Sequence, residues 1–375
     1  MRFTIERSDL LKATGIANSV ADRQNAKIIL GFVLIESRDD RVTFRAANST
    51  IEVIATCDAV VETPGAATVN AATLNEIARK LPSGCTVNIS LEALEPQDQI
   101  TVEAANAVFR LGTLAWEDFP VMPEHEFSCR FALPVSEFDR LINMTRFAIC
   151  EDETRRYLNG TYLHIYPENE PDALRAVTTD GHRLALAWTD LPEGAEGMPG
   201  VILPKRTVLE LGKIISADDE VVNLSVSPNL VRFEMGRLVL TSGVIDARYP
   251  DYTRVIPPDN TIRLDVDRAG FIHAVDRVST VSLEQDSQAV AVSLERDRIK
   301  LNLNARESGT ADEVLAAAYD GDDMVIGFNC SYLMDLAQSL RRDRVIFMLA
   351  SPTQPAIARD GDDEKALFVV MPMRV

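Results

Sequence analysis

The chain has 375 residues, of which 38 are Lys or Arg and 57 are Asp or Glu, so its formal net charge at pH 7 is −19. A composition of 46% apolar and 25% charged residues is typical of a folded soluble protein and excludes a disordered acidic tail. The length exceeds that of a single hydrophobic core and predicts two or three domains. An acidic balance over the whole chain disfavours nucleic-acid binding, because phosphates attract Lys and Arg.

Several familiar sequence signals are missing from the chain. The N-terminus lacks the charged and apolar regions of a secretion signal, and there is no apolar run long enough for a membrane span. The five cysteines are scattered without a CxxC pair, and the sequence contains no GxxxxGK[ST], GxGxxG, HExxH or GxSxG motif. These observations predict a reduced, cytoplasmic protein with no membrane segment, metal or cofactor. None of these common enzyme motifs is present to indicate a catalytic function.

The first repeated pattern in chain order is a short alternating strand followed by the start of a helix. It occurs in FTIERSDLLKA from Phe3, FALPVSEFDRLI from Phe131 and RLDVDRAGFIHAV from Arg263. In each copy an apolar strand residue is followed five positions later by a large apolar residue: Ile5 and Leu10, Leu133 and Phe138, Val266 and Phe271. The repetition predicts three units of similar fold.

A second pattern is an apolar triplet spaced by three and then four residues, which lies on one helical face. The triplets are Leu74, Ile77 and Leu81; Val208, Leu211 and Ile215; Leu333, Leu336 and Leu340. Each triplet is followed by a β-rich stretch. A similar proline-containing segment, starting at Phe119 and again at Tyr249, ends the first two units. We therefore predict domains at 1–125, 126–257 and 258–375. The alternative is three ordinary α+β domains whose amphipathic helices match by chance.

Each predicted unit is α+β, with two helices on antiparallel sheets. The predicted helices cover 7–20, 72–81, 136–147, 205–215, 268–278 and 329–344. They contain 14 basic and 8 acidic residues, a net of +6, which leaves −25 on the remaining chain. The functional interpretation is that the helices face a polyanion. The alternative is that Lys and Arg are good helix formers on solvated faces.

Four segments, taken together, resemble one protein family. TRRYLNG (154–160), TTDGHRLA (178–185), ARYPDYTRVIP (247–257) and the terminal FVVMPMRV (368–375) resemble the bacterial sliding clamp, the beta subunit of DNA polymerase III. The resemblance covers the whole chain in order. It implies three clamp-type domains per chain and a head-to-tail homodimeric ring of six domains that encircles double-stranded DNA without sequence preference.

The resemblance also implies a function and partners. The chain would be a non-catalytic processivity factor that tethers the replicative polymerase to DNA. Its expected partners are a second copy of itself, the alpha subunit of DNA polymerase III, the delta subunit of the clamp loader, and other proteins that carry short clamp-binding motifs.

Site residues follow from the matching positions. The resemblance implies an apolar peptide-binding pocket formed by Leu158, Thr179, Gly181, His182, Arg183, Leu184, Pro250, Arg254, Val255, Tyr332, Val369, Val370, Met371, Pro372, Met373 and Arg374. Positions expected to face DNA are Arg23, Arg155, Arg156, Lys205 and Arg206, to which the helix charge count adds Lys80. The sequence departs from the family in the segment that starts at Arg23. Ile28 stands where the family often has a proline, and Arg23 is shifted by one position. Two further departures, Pro352 and Gln354, lie on the pocket rim.

Other interpretations of these residues stay open. The terminal FVVMPMRV also suits a last core strand, and the chain could be a repeat scaffold that binds only proteins. Asp180 and His182 could form an acid/base pair of a hydrolase, although Asp180-Gly181 is more simply a tight hairpin turn.

Overall fold

The computed structural model describes residues 1–92, 98–123, 125–166, 172–215, 220–282, 289–305 and 308–375. The α-helices of these residues are α1 (Arg7–Val20), α2 (Ala71–Lys80), α3 (Val135–Thr145), α4 (Lys205–Ile214), α5 (Arg268–Ser279) and α6 (Cys330–Ser339). The strands are β1 (Arg2–Glu6), β2 (Phe32–Arg38), β3 (Arg41–Ala47), β4 (Ile51–Asp58), β5 (Val60–Thr63), β6 (Gly65–Asn70), β7 (Thr86–Glu92), β8 (Gln99–Ala104), β9 (Ala107–Gly112), β10 (Cys129–Pro134), β11 (Gly160–Tyr166), β12 (Ala173–Thr179), β13 (Arg183–Asp190), β14 (Val201–Pro204), β15 (Val221–Val226), β16 (Leu230–Met235), β17 (Leu238–Gly243), β18 (Ile262–Asp267), β19 (Ala289–Glu295), β20 (Arg298–Ala305), β21 (Gly309–Tyr319), β22 (Met324–Asn329), β23 (Arg344–Leu349), β24 (Ala356–Asp360) and β25 (Ala366–Val370).

The three predicted strand–helix segments are confirmed as β1–α1, β10–α3 and β18–α5. In each, the large apolar residue of the first helical turn is buried: Leu10, Phe138 and Phe271. The first two members of each apolar triplet lie on α2, α4 or α6, and Leu74, Val208 and Leu333 are almost fully buried. The third member, Leu81, Ile215 or Leu340, is the residue that directly follows each helix. The spacing of three and four residues thus turns one face of each helix into the core.

The predicted helix 329–344 is wrong at its C-terminal end, since α6 stops at Ser339. Leu340 takes extended angles, and the backbone N–H groups of Arg341 and Arg342 donate to the buried carboxylate of Asp360 at 2.9 and 2.8 Å. Those amides would be needed to continue the helix, so the tertiary contact ends it. Helix α3 likewise ends at Thr145, and Arg146 lies in a short 3-10 turn.

These helix ends change the predicted charge segregation. The helices as observed contain ten basic and seven acidic residues, a net of +3 instead of +6, and the rest of the chain carries −22. Helix α6 has one acidic and no basic residue, because the three arginines assigned to it lie beyond its end. The helices therefore still carry a net positive charge, but only half of the predicted one.

The described chain divides into two compact units. The first comprises residues 1–136, 192–199 and 210–244. It contains a five-stranded antiparallel sheet with the order β5-β1-β7-β8-β9 and an eight-stranded sheet with the order β10-β15-β16-β17-β4-β3-β2-β6. Helices α1 and α2 pack on each other, and α1 also packs on β3 and β4. Phe3, Phe44 and Phe233 are fully buried, as expected for a core between helices and sheets.

The second unit comprises residues 137–191, 200–209 and 245–375. Its strands form one sheet with the order β14-β11-β12-β13-β25-β24-β23-β18-β21-β20-β19-β22, and helices α5 and α6 pack on each other. All recorded strand pairs are antiparallel, so opposed residues of neighbouring strands share one face of the sheet. Among the described helices, none combines the length and the hydropathy that a membrane crossing requires.

Candidate functional site

Several predicted pocket residues lie in one row across the second unit's sheet. Thr179 of β12 opposes Leu184 of β13, and Leu184 opposes Val369 of β25. The row continues through Ile357 of β24 to Met348 of β23. Because directly opposed residues point to the same face, a continuous and mostly apolar strip crosses five strands. Leu184 and Val369 are only 1% and 2% exposed.

This strip belongs to a larger apolar cluster. Leu158, at the end of a 3-10 turn, packs into it together with Leu184 and Val369. Sequence reasoning missed the other buried members: Cys150, Val177, Leu186, Ile202, Tyr249, Tyr252, Ile357 and Leu367. Tyr249 stacks on Tyr162 with ring centroids 4.7 Å apart. The signals that could have found them were the alternation of apolar residues in β12 and β13 and the two tyrosines of YPDY.

The hairpin between β12 and β13 is the tight turn that Asp180-Gly181 predicted. Gly181 has a φ of +92°, a value that favours glycine. One carboxylate oxygen of Asp180 accepts from the backbone N–H groups of His182 and Arg183, at 2.9 and 3.0 Å. The side chain of Asp180 therefore stabilises the turn itself.

The same geometry contradicts an acid/base pair of Asp180 and His182. The second oxygen of Asp180 accepts from Nε of Arg183 at 3.0 Å. The ring of His182 is stacked on Tyr332, with centroids 6.3 Å apart. Neither group is directed at the other, so the hydrogen bond that such a pair requires is not made.

Arg183 is held by contacts within the protein. Its guanidinium binds Asp180 and, through Nη1, the carboxylate of Asp335 on α6 at 2.7 Å. It also lies over the rings of Tyr332 and Phe147, at 4.4 and 5.3 Å from their centroids. With only 12% of its side chain exposed, Arg183 holds the hairpin against α6. Asp335 was missed, since nothing in its local sequence marks it as a partner.

The C-terminal segment is both a core strand and an exposed edge of the pocket. All five residues of β25 are buried, and beyond them the N–H of Met371 donates to the carbonyl of His182 at 2.9 Å. The N–H of Met373 donates to the carbonyl of Gly327 at 2.8 Å. A Cβ at Gly327 would lie 2.4 Å from the Met373 oxygen, so the approach requires glycine. Met371 is 42% exposed, and Arg374 is exposed.

The segment before β18 carries three further predicted residues, and all of them are exposed. Pro250, Arg254 and Val255 lie between and after the buried Tyr249 and Tyr252, which anchor the segment in the apolar cluster. Arg254 pairs with Asp251 in a 3-10 turn at 2.8 Å. The rim departures at Pro352 and Gln354 are likewise exposed.

Two of the predicted DNA-facing cations are held by acidic neighbours. Nη1 of Arg155 donates to the carbonyl of Asp180 at 2.7 Å, and its Nε pairs with Asp152 at 3.0 Å. The hydrogen bond that Arg155 donates to the Asp152 carboxylate raises the pKa of Arg155. Lys205 pairs with Glu151, and its hydrogen bond lowers the pKa of that carboxyl. Arg155 and Lys205 both line a cleft of about 750 Å³ together with His182 and Tyr332.

The other four predicted cations are exposed. Lys80 lies at the end of α2, Arg206 in the first turn of α4, and Arg156 in the turn that precedes Leu158. Arg23 donates to the side-chain oxygen of Asn18 at 2.6 Å. The described residues contain no cluster of three His, Cys, Asp or Glu side chains that could hold a metal ion.

Comparison with known proteins identifies the family. Three domain models of the DNA polymerase III beta subunit match: the N-terminal domain over residues 1–123, the central domain over 132–251 and the C-terminal domain over 253–374. The beta sliding clamp of Caulobacter vibrioides is 44% identical over 375 residues, and that of Escherichia coli K12 is 32% identical over 378, each match covering all of both chains.

Solved structures agree in fold. A C. crescentus beta sliding clamp, with PEG bound to a proposed beta-motif tethering region, has a TM-score of 0.93 at 43% identity. The match covers 100% of this chain and 99% of that one. A Bartonella birtlesii sliding clamp bound to griselimycin has a TM-score of 0.93 at 40% identity with both chains fully covered. The chain therefore belongs to the DNA polymerase III beta subunit family, the non-catalytic DNA sliding clamps that make the polymerase processive.

Proposed function

We propose that this clamp captures short apolar motifs of its partner proteins in the pocket around Leu184, Val369 and Met371. The observation that carries the proposal is the cross-strand strip through Thr179, Leu184 and Val369, together with the exposed side chain of Met371, two residues beyond Val369. Methionine adapts its shape to different apolar ligands, which suits a site shared by several partners. The PEG-binding tethering region of the C. crescentus relative supports a ligand site in this family.

The proposed partners in this pocket are the alpha subunit of DNA polymerase III, the delta subunit of the clamp loader and other clamp-motif proteins. Leu158 and Leu184 supply the floor, and the exposed Arg254, Val255 and His182 supply the rim. One site for all of them means that they compete, so the polymerase and the loader occupy a given pocket in turn.

The proposed contacts with duplex DNA are weak and sequence-independent. Arg23, Lys80, Arg155, Arg156, Lys205 and Arg206 are the proposed cations. The small positive charge of the helices suits sliding, because few phosphate contacts bind weakly and carry no sequence information. The net negative charge on the rest of the chain discourages adhesion of DNA elsewhere.

We also propose a head-to-tail homodimer that closes a ring of six domains, with domains at 1–125, 126–257 and 258–375, in the cytoplasm. Two sheet edges support it. Among the residues that the structure describes, strand β9 pairs with β8 alone, and Val108 is 49% exposed. Within the same described part of the chain, residues 309–316 of β21 pair with β20 alone, and Val314 is 59% exposed. Such edges are normally covered, and β9 of one copy against β21 of the second covers both.

Loading on DNA tests the topological function. The clamp is placed on nicked circular DNA with a clamp-loading ATPase, the DNA is linearised, and retention is measured by gel filtration. A ring that holds DNA by topology is retained on circles and lost from linear DNA. Retention that does not drop on linearisation contradicts the proposal, and no retention on circles favours a protein-binding scaffold.

The solution mass tests the dimer. The wild-type chain should have twice its chain mass of 41.4 kDa in light scattering. Val108→Asp together with Val314→Asp should give the monomer, because each places a charge on an edge that the second copy covers. Val221→Asp, at a residue 42% exposed in a strand paired on both sides, is the matched control. A dimer that survives the double substitution contradicts the proposed edges.

A further inference from the structure

We infer that a second cleft on the same sheet, about 480 Å³ in volume, binds the residues that flank a clamp motif in a partner protein. Its floor contains Met348, Ile357 and Leu367, and its wall contains Ile256 and Pro258. We call it the flank cleft. A volume of this size falls within the range of ligand sites in proteins. The inference rests on the proposed function, since it extends the peptide that the pocket holds.

The flank cleft lies on the same face of the sheet as the proposed pocket. The row that begins at Thr179, Leu184 and Val369 runs on through Ile357 and Met348 to Arg263 of β18. Ile357 and Leu367 belong to the same apolar cluster as Leu184, and Ile256 and Met348 pack against that cluster. One face of one sheet thus carries both sites.

The distance between the two sites fits an extended peptide. From Leu184 on β13 to Met348 on β23 there are three strand spacings, or roughly 14 Å at about 4.8 Å each. An extended chain covers this distance in about four or five residues. The segment of Tyr249 and Tyr252 contributes to the apolar cluster, and its continuation through Ile256 to Asn260 lines the flank cleft. The peptide would follow this segment from one site to the other.

Asn260 holds one wall of the flank cleft in place. Its side-chain nitrogen donates to the carbonyls of Met348 and Pro355, both at 2.9 Å, which fixes the orientation of the amide. Its oxygen is buried and accepts no hydrogen bond from the protein. The amide thus ties the segment before β18 to β23 and to the chain before β24, and it fixes one wall of the flank cleft. The apolar floor of Met348, Ile357 and Leu367 matches the apolar side chains of a peptide.

The charges at the rim restrict the ligand further. Arg359 lines the flank cleft and has no ion-pair partner among the residues that the structure describes, whereas Arg263 pairs with Asp265 and Asp363 with Arg140. Asp362 and Glu364 also line the cleft and are exposed. We therefore infer that Arg359 binds an acidic group of the ligand. The exposed carboxylates of Asp362 and Glu364 repel acidic groups of the ligand at the turn between β24 and β25.

The test uses peptides of two lengths from the clamp-binding region of the polymerase alpha subunit. One contains the clamp motif alone, and the others add six residues at the N-terminal or the C-terminal side. Affinities for the full-length dimer are measured by fluorescence anisotropy. Arg359→Glu and Pro258→Asp alter the flank cleft, and Arg130→Glu is a charge-matched control at an exposed residue of the first unit.

We expect one of the two extensions to bind wild type about tenfold more tightly than the motif alone, and both flank-cleft variants to lose this gain while their affinity for the motif alone is unchanged. Arg130→Glu should keep the gain. Extensions that add nothing, or a gain that both variants retain, would overturn the inference. If the motif alone does not bind wild type, both the proposed pocket and the flank cleft are contradicted. If the motif binds but the extensions add no affinity, only the flank cleft is contradicted.

Discussion

The proposed pocket and the proposed DNA-facing residues are built in opposite ways. The pocket rests on buried side chains from several strands, such as Leu184 and Val369, and its geometry is held by hydrogen bonds within the protein. The cations are spread over separate turns and helix ends, and Lys80 and Arg156 are exposed. Few, concentrated contacts make a specific and strong site, whereas many weak contacts make a surface along which DNA slides. Single changes should therefore have large effects in the pocket and small ones among the cations.

The largest effect is expected from removing Met371 to Val375. The deletion takes away the exposed Met371 and the backbone bonds to His182 and Gly327. We expect clamp-motif peptides to lose about a thousandfold or more in affinity, or ~4 kcal/mol, by fluorescence anisotropy. Light scattering should still show the dimer, because the proposed dimer edges lie elsewhere. Unchanged peptide affinity would refute the pocket, and Arg374→Gln controls for the lost charge.

The next effect concerns the sheet that supports the pocket. His164 is buried beside Tyr252, and burial lowers its pKa to about 4. Because the unfolded chain binds a proton near pH 6.5, stability is fully present above that pH and falls as the pH drops towards 4. The loss should reach about 3 kcal/mol.

Urea unfolding between pH 7 and pH 4 measures this loss. The chain has two tryptophans, so a Trp116→Phe background leaves Trp188 of the second unit as the reporter. His164→Gln should flatten the pH dependence over this range, and His125→Gln, at an exposed residue, should not. An equal slope in the presence and absence of His164 would contradict the assignment.

A smaller effect is expected for Arg183→Gln. The substitution leaves the carboxylates of Asp180 and Asp335 without their shared cation and frees the hairpin from α6. We expect a loss of about 2 kcal/mol, below the cost of a fully buried pair because Asp335 is 43% exposed. Calorimetry measures it, and Arg254→Gln, in an exposed pair, should have no measurable effect. Equal melting of both variants would mean that Arg183 does not hold the hairpin.

The smallest effects are expected among the cations. Arg156→Gln should lower the slope of log affinity against log salt by about 0.9 for duplex DNA, the contribution of one phosphate contact. Its neighbour Arg155 is bound to Asp152 and to the Asp180 carbonyl, so Arg155→Gln should change this slope less and peptide binding more. If Arg155→Gln changed the salt slope more and Arg156→Gln changed peptide binding more, Arg155 would be the DNA contact and Arg156 the residue that supports the pocket.

Much of the fold follows from local patterns. The strand–helix repeats and the helices that carry the apolar triplets were predicted correctly, except that the last residue of each triplet follows its helix. Periods of two and of three to four residues indicate which face of an element is buried. The hairpin turn at Asp180-Gly181 was also correct, since turn chemistry is local. The domain boundaries and the individual site residues stay predictions.

The errors occurred where a distant residue decides the outcome. The helicity of 329–344 looked continuous, yet Asp360 captures the amides of Arg341 and Arg342 and ends α6. The local sequence likewise gave no sign that Arg183 binds Asp335, which lies 152 residues away. Neither partner is visible in the local pattern.

The sequence by itself determined the family, the threefold repeat and the elements that build it, because these depend on motifs and on short-range periodicity. Only the tertiary structure decided which cations are exposed and which are held by neighbouring acids, where the helices end, and that Leu184, Val369, Ile357 and Met348 share one face. The physical reason is that charge pairing, amide capture and cross-strand rows depend on distances in space between residues that are far apart in the chain.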